Sequence, residues 1–157
     1  MIKFYEIGQI EKLAIGDGTV KAATGGTKNC FLGKVDNGVA AAFTAGAELT
    51  LFANYGDGDD MHTEFVTPAG ELVTAWKIAP HVGKCLEVSP DSITYTNSKT
   101  YADITVGAKY GVGTDGNIAV GATAPTSGIV FEVVKKINFD GNGILVKVVD
   151  LGTATNS

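Results

Sequence analysis

The chain has 157 residues, of which 45% are hydrophobic and 18% are charged, and its formal net charge is −5. This length suits one domain with room for an extension or a small second lobe. The acidic balance argues against nucleic-acid binding through a general basic field, and 21 glycines with only 4 prolines favour many short strands joined by tight turns.

Residues 1–28 are predicted to form an N-terminal arm or a loose hairpin. Residues 2–7 fit either a strand or an extended arm, and glycines interrupt the segment that follows. The start of the sequence lacks the apolar run of a secretory signal peptide. The most apolar stretch, residues 39–53, contains Glu48 and falls short of a membrane-spanning helix. We therefore expect a protein that is made in the cytoplasm and stays soluble, without membrane contact.

Two adjacent aromatic residues stand out in the N-terminal segment. Phe4 and Tyr5 would point to opposite faces of an extended strand, so one of them would be left for a partner surface. Lys3, Phe4 and Tyr5 are therefore the candidate partner-binding residues. The alternative is an ordinary terminal strand that pairs into the sheet.

Residues 29–80 are predicted to form a first β lobe. Short apolar runs alternate there with turn residues such as Asp36-Asn37-Gly38 and Pro68-Ala69-Gly70. Strands are predicted over residues 30–35, 39–44, 48–53, 63–67 and 72–78, although residues 39–44 also fit a short helical turn. Pro80 marks a joint with the region that follows.

Residues 81–157 are predicted to form a second, barrel-like lobe that may also be continuous with the first. Ile104 and Val106 alternate with Thr105, which predicts a strand over residues 101–106, and Asp115-Gly116-Asn117 predicts a chain reversal. Residues 129–137 and 144–149 predict a hairpin closed by a glycine-rich turn. No stretch has helix caps and a 3.6-residue period, so the predicted class is all-β, a small barrel or sandwich.

An acidic loop offers the first candidate for chemistry. Asp57, Asp59 and Asp60 could hold a hard cation through oxygen ligands. Glu64 follows too early for the EF-hand pattern, however, so a solvated acidic loop is the favoured interpretation. We expect no bound metal and no cofactor.

The cysteines and histidines offer a second candidate. Cys30, His62, His81 and Cys85 could supply a zinc site, but their spacing matches no paired-ligand pattern. A Cys–His nucleophilic pair lacks an evident third residue to orient the base. Two free thiols are favoured over a disulfide, and Trp76 on its alternating strand is favoured as a core residue over a ligand-stacking platform. The sequence therefore predicts a protein that is not an enzyme.

Residues 82–151 contain four features that together form a pattern: Val82, Gly83, Leu86 and Val88; Ile104-Thr105-Val106-Gly107-Ala108; Thr114-Asp115-Gly116; and the closing strand pair over residues 129–137 and 144–149. In this pattern and in size the segment resembles the small β-barrel head decoration, or cement, proteins of tailed bacteriophages. The resemblance implies a structural virion protein on the capsid exterior that binds the major capsid protein and stabilises the shell, commonly as a trimer. The alternatives are a carbohydrate- or host-surface-binding module, in which Trp76 or the tyrosines stack on sugar rings, and a Cys–His hydrolase.

Overall fold

The computed structural model describes residues 1–5, 18–53, 66–138 and 141–152. The predicted all-β class is confirmed, and the strands form a curled half-barrel sheet with two further sheets. Within the described ranges the strands are β1 (Ile2–Phe4), β2 (Thr27–Lys28), β3 (Phe31–Asp36), β4 (Val39–Ala42), β5 (Thr50–Phe52), β6 (Val66–Thr67), β7 (Ala75–Lys77), β8 (Cys85–Val88), β9 (Ile93–Tyr95), β10 (Lys109–Val112), β11 (Ile118–Val120), β12 (Ile129–Asn138) and β13 (Asn142–Asp150).

The strands are arranged in three sheets. The largest has seven strands in the order β1-β8-β13-β12-β10-β11-β9, and the others have the orders β4-β3-β5-β7 and β2-β6. All neighbours are antiparallel except β9 and β11, which run parallel. The N-terminal strand β1 therefore ends the large sheet beside β8, more than eighty residues away in sequence.

The predicted hairpin over residues 129–149 is confirmed and forms the longest strand pair. Its register runs from Ile129 opposite Asp150 to Asn138 opposite Asn142, with an irregularity between Val133 and Lys135. Phe131 on β12 and Val146 and Val148 on β13 are fully buried. Alternation along these strands therefore gives one core-facing surface and one outer surface.

The predicted strand over residues 101–106 is wrong. Tyr101–Asp103 is a 3-10 helix that begins with a capping box between Thr100 and Asp103. The Thr100 amide donates to Asp103 Oδ2 at 2.9 Å, so the side chain supplies a local partner for the backbone. The expected alternation fails as well, because Ile104 is buried whereas Val106 is 68% exposed.

Elsewhere one open alternative is resolved and one predicted strand is shorter than expected. Residues 39–44 contain a strand, β4, and the predicted strand over residues 72–78 is limited to β7. The other 3-10 helices in the described ranges are Ala79–His81, which contains the predicted joint, and Pro90–Ser92. None of the described helices is long and apolar enough to cross a membrane.

The main hydrophobic core draws on both halves of the chain. Leu32 and Leu51 from the four-stranded sheet pack in one cluster with Leu86, Phe131 and Val146 from the seven-stranded sheet. A smaller cluster lies on the other side of the four-stranded sheet and contains Val20, Ala40, Phe52, Val73 and Ala75. Residues 18–28, assigned from sequence to the arm, are thus packed through Val20 and through pairing of β2 with β6.

Candidate functional site

The three candidate partner-binding residues lie on or beside the terminal strand β1 and face different ways. Phe4 is buried in the core, where its ring centroid lies 4.6 Å from that of His81. Lys3 and Tyr5 face outward; Lys3 Nζ lies 3.1 Å from Glu87 Oε2, and Tyr5 is 51% exposed. The expected split of the two aromatics is therefore observed, and Tyr5 is the one on the surface.

The position of β1 is fixed by polar contacts at its start. The α-ammonium group of Met1 donates to Asp91 Oδ1 at 2.6 Å, to Ser92 Oγ at 2.6 Å and to Ser89 Oγ. The Ser89 amide donates in turn to the Met1 carbonyl at 2.8 Å. Residues 2–4 are thus held as an ordered part of the sheet.

The buried cysteine Cys30 does not present an activated thiol. Burial raises the pKa of Cys30 to about 11, which is opposite to the shift that a thiolate nucleophile needs. His81 is fully buried, and its Nδ1 donates to the Lys77 carbonyl at 2.8 Å, which fixes the tautomer. Neither cysteine forms a disulfide, and Cys85 is partly exposed. His62 lies outside the described residues.

The acidic loop also lies outside the described residues, so the prediction for Asp57, Asp59 and Asp60 stays open. Across residues 1–5, 18–53, 66–138 and 141–152, no group of three or more histidine, cysteine, aspartate or glutamate side chains converges as metal ligands do.

Trp76 is half-buried against the main core. Its indole Nε1 donates to the Ala53 carbonyl at 2.9 Å, which joins β7 to the end of β5. One side of the ring system is therefore used in packing, as the core interpretation predicts.

A large open groove lies between the two larger sheets. Its volume is about 1020 Å³, and apolar side chains dominate its walls. Three segments of the chain provide most of the lining: the β4–β5 loop from Phe43 to Leu49, the end of β10, and the loop that leads into β12. Glu48 and Asp150 are the charged residues on its rim. Among the described residues that line it, the groove is thus mainly apolar and weakly acidic.

Three tyrosines gather at another edge of the main core. Tyr95, Tyr101 and Tyr110 are all partly buried against that core. Burial raises the pKa of Tyr95, and the neighbouring phenols of Tyr101 and Tyr110 raise it further, which reflects their proximity. Lys136 Nζ lies 4.7 Å from the centroid of the Tyr101 ring, in cation–π geometry.

Neither the groove nor the tyrosine cluster was found from the sequence. Both are assembled from segments far apart in the chain, and the tyrosines share no spacing that would single them out. Tyr101 in particular was assigned to a strand, whereas its place in a 3-10 helix lets its hydroxyl donate to the Gly143 carbonyl at 3.0 Å. Comparisons of the chain with protein-family models, with curated proteins and with solved structures found no match.

Proposed function

We propose that this chain is a structural virion protein that binds the outside of a phage capsid and stabilises it. The partner is the major capsid protein, and the working form is a homo-oligomer, with a trimer favoured. The all-β fold and the resemblance of residues 82–151 to cement proteins support this proposal. The single observation that carries it is the apolar groove between the sheets.

The groove suits a polypeptide segment better than a small molecule. Its volume of about 1020 Å³ lies at the upper end of the range for small-ligand pockets, and the groove is open to solvent and not enclosed. Few charged groups converge on it, so binding there would come mainly from burial of apolar surface and from backbone hydrogen bonds. An extended strand or loop of a neighbouring protein offers both.

Co-sedimentation with undecorated capsids tests the proposal. The wild-type chain should sediment with capsids at a fixed stoichiometry. Ala45→Glu places a charge on the groove wall and should lower that binding by at least about tenfold, because a buried unpaired carboxylate is costly. Ala42→Glu is the matched control, an exposed alanine outside the groove.

The two possible negative results contradict different parts of the proposal. Absence of wild-type co-sedimentation would contradict the proposed function itself. Equal binding by the Ala45→Glu and Ala42→Glu variants would remove the groove from the mechanism while leaving capsid attachment in place.

A second candidate function is carbohydrate binding, which the tyrosine cluster favours. Tyr95, Tyr101 and Tyr110 bring three partly exposed aromatic rings together, and aromatic faces are common platforms for sugar rings. A glycan array is the direct test. Tyr95→Ala should abolish any hit, whereas Tyr5→Ala should preserve it because Tyr5 is an exposed tyrosine on a different part of the sheet. An array without hits would end this alternative.

A further inference from the structure

A second, smaller pocket lies beside β4, at the edge of the four-stranded sheet. Its volume is about 310 Å³, and it shares no lining residue with the groove described above. The ring of Phe31 and the three alanines of β4, residues 40–42, supply much of its apolar lining. Lys28 and Asp115 are the charged residues that line it. The volume lies at the lower end of the range for small-ligand sites.

The pocket is formed because a neighbouring segment leaves the edge of β4. The Ala40 amide donates to the Lys21 carbonyl at 2.8 Å, so the two segments pair at that point. The chain then turns away, since the Ala23 amide donates to Thr27 Oγ1 at 3.0 Å and not to β4. The amide of Ala42 points to the same side of the strand as that of Ala40. Among the described residues it has no acceptor, so it is available to a ligand.

The aromatic wall of the pocket is held in place by its neighbours. The Phe31 ring stacks on Phe52, with the ring centroids 6.0 Å apart and an interplanar angle of 19°. The turn at Gly116 packs so closely against the same ring that a Cβ there would overlap it. Because the ring is already fixed, a ligand that covers it does not have to order it on binding.

Two opposite charges reach the pocket from different sheets. Lys28 ends β2, and Asp115 lies in the turn between β10 and β11. Both are exposed, and across the described residues neither forms an ion pair with the other or with any other side chain. The Asp115 carboxylate is oriented, because its Oδ1 accepts from the Asn117 amide at 3.1 Å and its Oδ2 accepts from the Thr94 hydroxyl. One pocket thus carries an ammonium group and a carboxylate that are both open to a ligand.

We propose that this pocket binds a small zwitterion, a molecule whose ammonium and carboxylate groups are joined by a short apolar body. The ligand's carboxylate pairs with the Lys28 ammonium group, and its ammonium group pairs with Asp115. Its apolar body covers Phe31 and the alanines of β4, and the Ala42 amide offers the carboxylate a further donor. Free amino acids belong to this chemical class.

The short open edge favours a small molecule over an extended peptide. Lys21 already pairs with the edge beside Val39, and Ala42 is the last residue of β4. Only the Ala40 carbonyl and the Ala42 amide therefore remain open along this strand among the described residues. Addition of a peptide strand uses main-chain hydrogen bonds along several residues, and this edge is too short to supply them.

An NMR titration of the full, isotope-labelled chain with ω-amino acids tests the proposal. The probes are β-alanine, γ-aminobutyrate and ε-aminocaproate, which keep the same two end groups and increase the distance between them. We expect one length to bind best, with a Kd of about 1 mM or below and the largest amide shift changes at Ala41 and Ala42. The singly charged acid and the singly charged amine of that length should each bind about three- to fivefold more weakly, the value of one exposed ionic contact.

Matched variants locate the site. Lys28→Gln should weaken binding of the best probe by about three- to fivefold. Lys77→Gln removes an exposed lysine that does not line the pocket and should leave the affinity unchanged. Ala42→Glu places a carboxylate on the pocket and should repel the carboxylate of the probe, although the same variant is expected to keep capsid binding. The two experiments therefore separate a failure of this site from a failure of the proposed function.

Several results would overturn the proposal. They are an absence of binding by all three probes, equal affinities for the zwitterion and its singly charged analogues, and equal affinities of the Lys28→Gln and Lys77→Gln variants. Shift changes confined to amides outside the pocket would place the ligand elsewhere and would also overturn it. Binding of extended peptides at Ala42 without binding of zwitterions would assign the pocket to peptides and would have the same consequence.

Discussion

Two regions of the chain have similar sequence patterns but different structures: the hairpin of β12 and β13, and the stretch from Tyr101 to Gly121. Both contain alternating apolar residues and a glycine-containing reversal. In the hairpin the two strands pair over ten and nine residues, and the buried Phe131 and Val133 lie opposite the buried Val148 and Val146. In the other stretch the apolar run is short, and a 3-10 helix replaces its first part. In this chain the longer pattern therefore predicted its two strands correctly, whereas the first part of the shorter pattern did not.

Local hydrogen bonding explains the difference. The Asp103 carboxylate accepts from the Thr100 amide and hydroxyl, which satisfies the backbone without a neighbouring strand. Gly107 then has a positive φ of 84°, so the chain turns before β10 begins. Beyond this turn the sequence interpretation holds, since β10 and β11 pair on either side of Asp115-Gly116-Asn117.

The largest predicted loss of stability comes from a core substitution in the hairpin. Phe131→Ala empties a fully buried position in the main core and should lower the free energy of unfolding by about 3–5 kcal/mol. Urea denaturation measures it. The neighbouring Glu132→Gln, on the outer face of the same strand, should cost less than about 1 kcal/mol. Similar losses for the two variants would mean that the strand does not alternate between core and surface.

The next effect tests the turn after β10. Gly116 has a positive φ of 77°, and a Cβ there would overlap the Phe31 ring and lie 2.6 Å from the Leu32 carbonyl oxygen. Gly116→Ala should therefore cost about 2–5 kcal/mol, from backbone strain plus steric overlap. Gly38→Ala is the control: φ is 76° there and the space around the Cβ is open, so only the strain of about 1–2 kcal/mol should remain. Equal costs would exclude a tight approach of the turn to β3.

A smaller loss of stability is expected when the contact between the 3-10 helix at Tyr101–Asp103 and the hairpin is removed. Tyr101→Phe removes the hydroxyl that donates to the Gly143 carbonyl and should cost about 1 kcal/mol in chemical denaturation. Tyr5→Phe, at the half-exposed tyrosine, should leave the unfolding free energy unchanged. A strand at residues 101–106 would direct Tyr101 elsewhere, and its substitution would then have no effect.

The smallest effect concerns the capping box and depends on pH. Hydrogen bonds from the Thr100 amide and hydroxyl, together with Lys99, hold the pKa of Asp103 below its ordinary value of 3.8. A lowered carboxyl pKa gives stability that is present above the ordinary pKa and is lost as the pH falls through the lowered one. The melting temperature of Asp103→Asn should thus lie below that of wild type at neutral pH, and the gap should close in acid. A gap that is constant with pH would contradict the capping role.

Much of the fold could be predicted from sequence because its signals are local. Period-two alternation identified the β class, and turn chemistry placed the reversals at Asn37-Gly38 and after Asn138. Strand partners could not be predicted in the same way. Pairing of β1 with β8 joins residues more than eighty apart, and β9 pairs in parallel with β11, so neither leaves a short-range signature.

The candidate site was harder to predict from the sequence, because its residues are brought together by long-range strand pairing. The sequence singled out Lys3, Phe4 and Tyr5 and predicted that one of the two aromatics faces outward. Which of them does so, and that Glu87 and Cys85 are their neighbours, depends on the sheet order. The groove depends on how the two larger sheets meet, and the tyrosine cluster combines residues of β9, β10 and a 3-10 helix. Such surfaces are properties of tertiary arrangement, and no single segment of the sequence specifies them.

The core shared by the two larger sheets has a consequence for how the chain comes apart. Leu32 and Leu51 pack in the same cluster as Leu86 and Phe131, so neither half can bury all of its apolar surface alone. Heating should then give a single cooperative transition, and a proteolytic nick beside Pro80 should leave two fragments that remain associated. We expect peptides covering residues 1–80 and 81–157 to be insoluble or unfolded when separate. When mixed, the two peptides should associate and refold into the native structure.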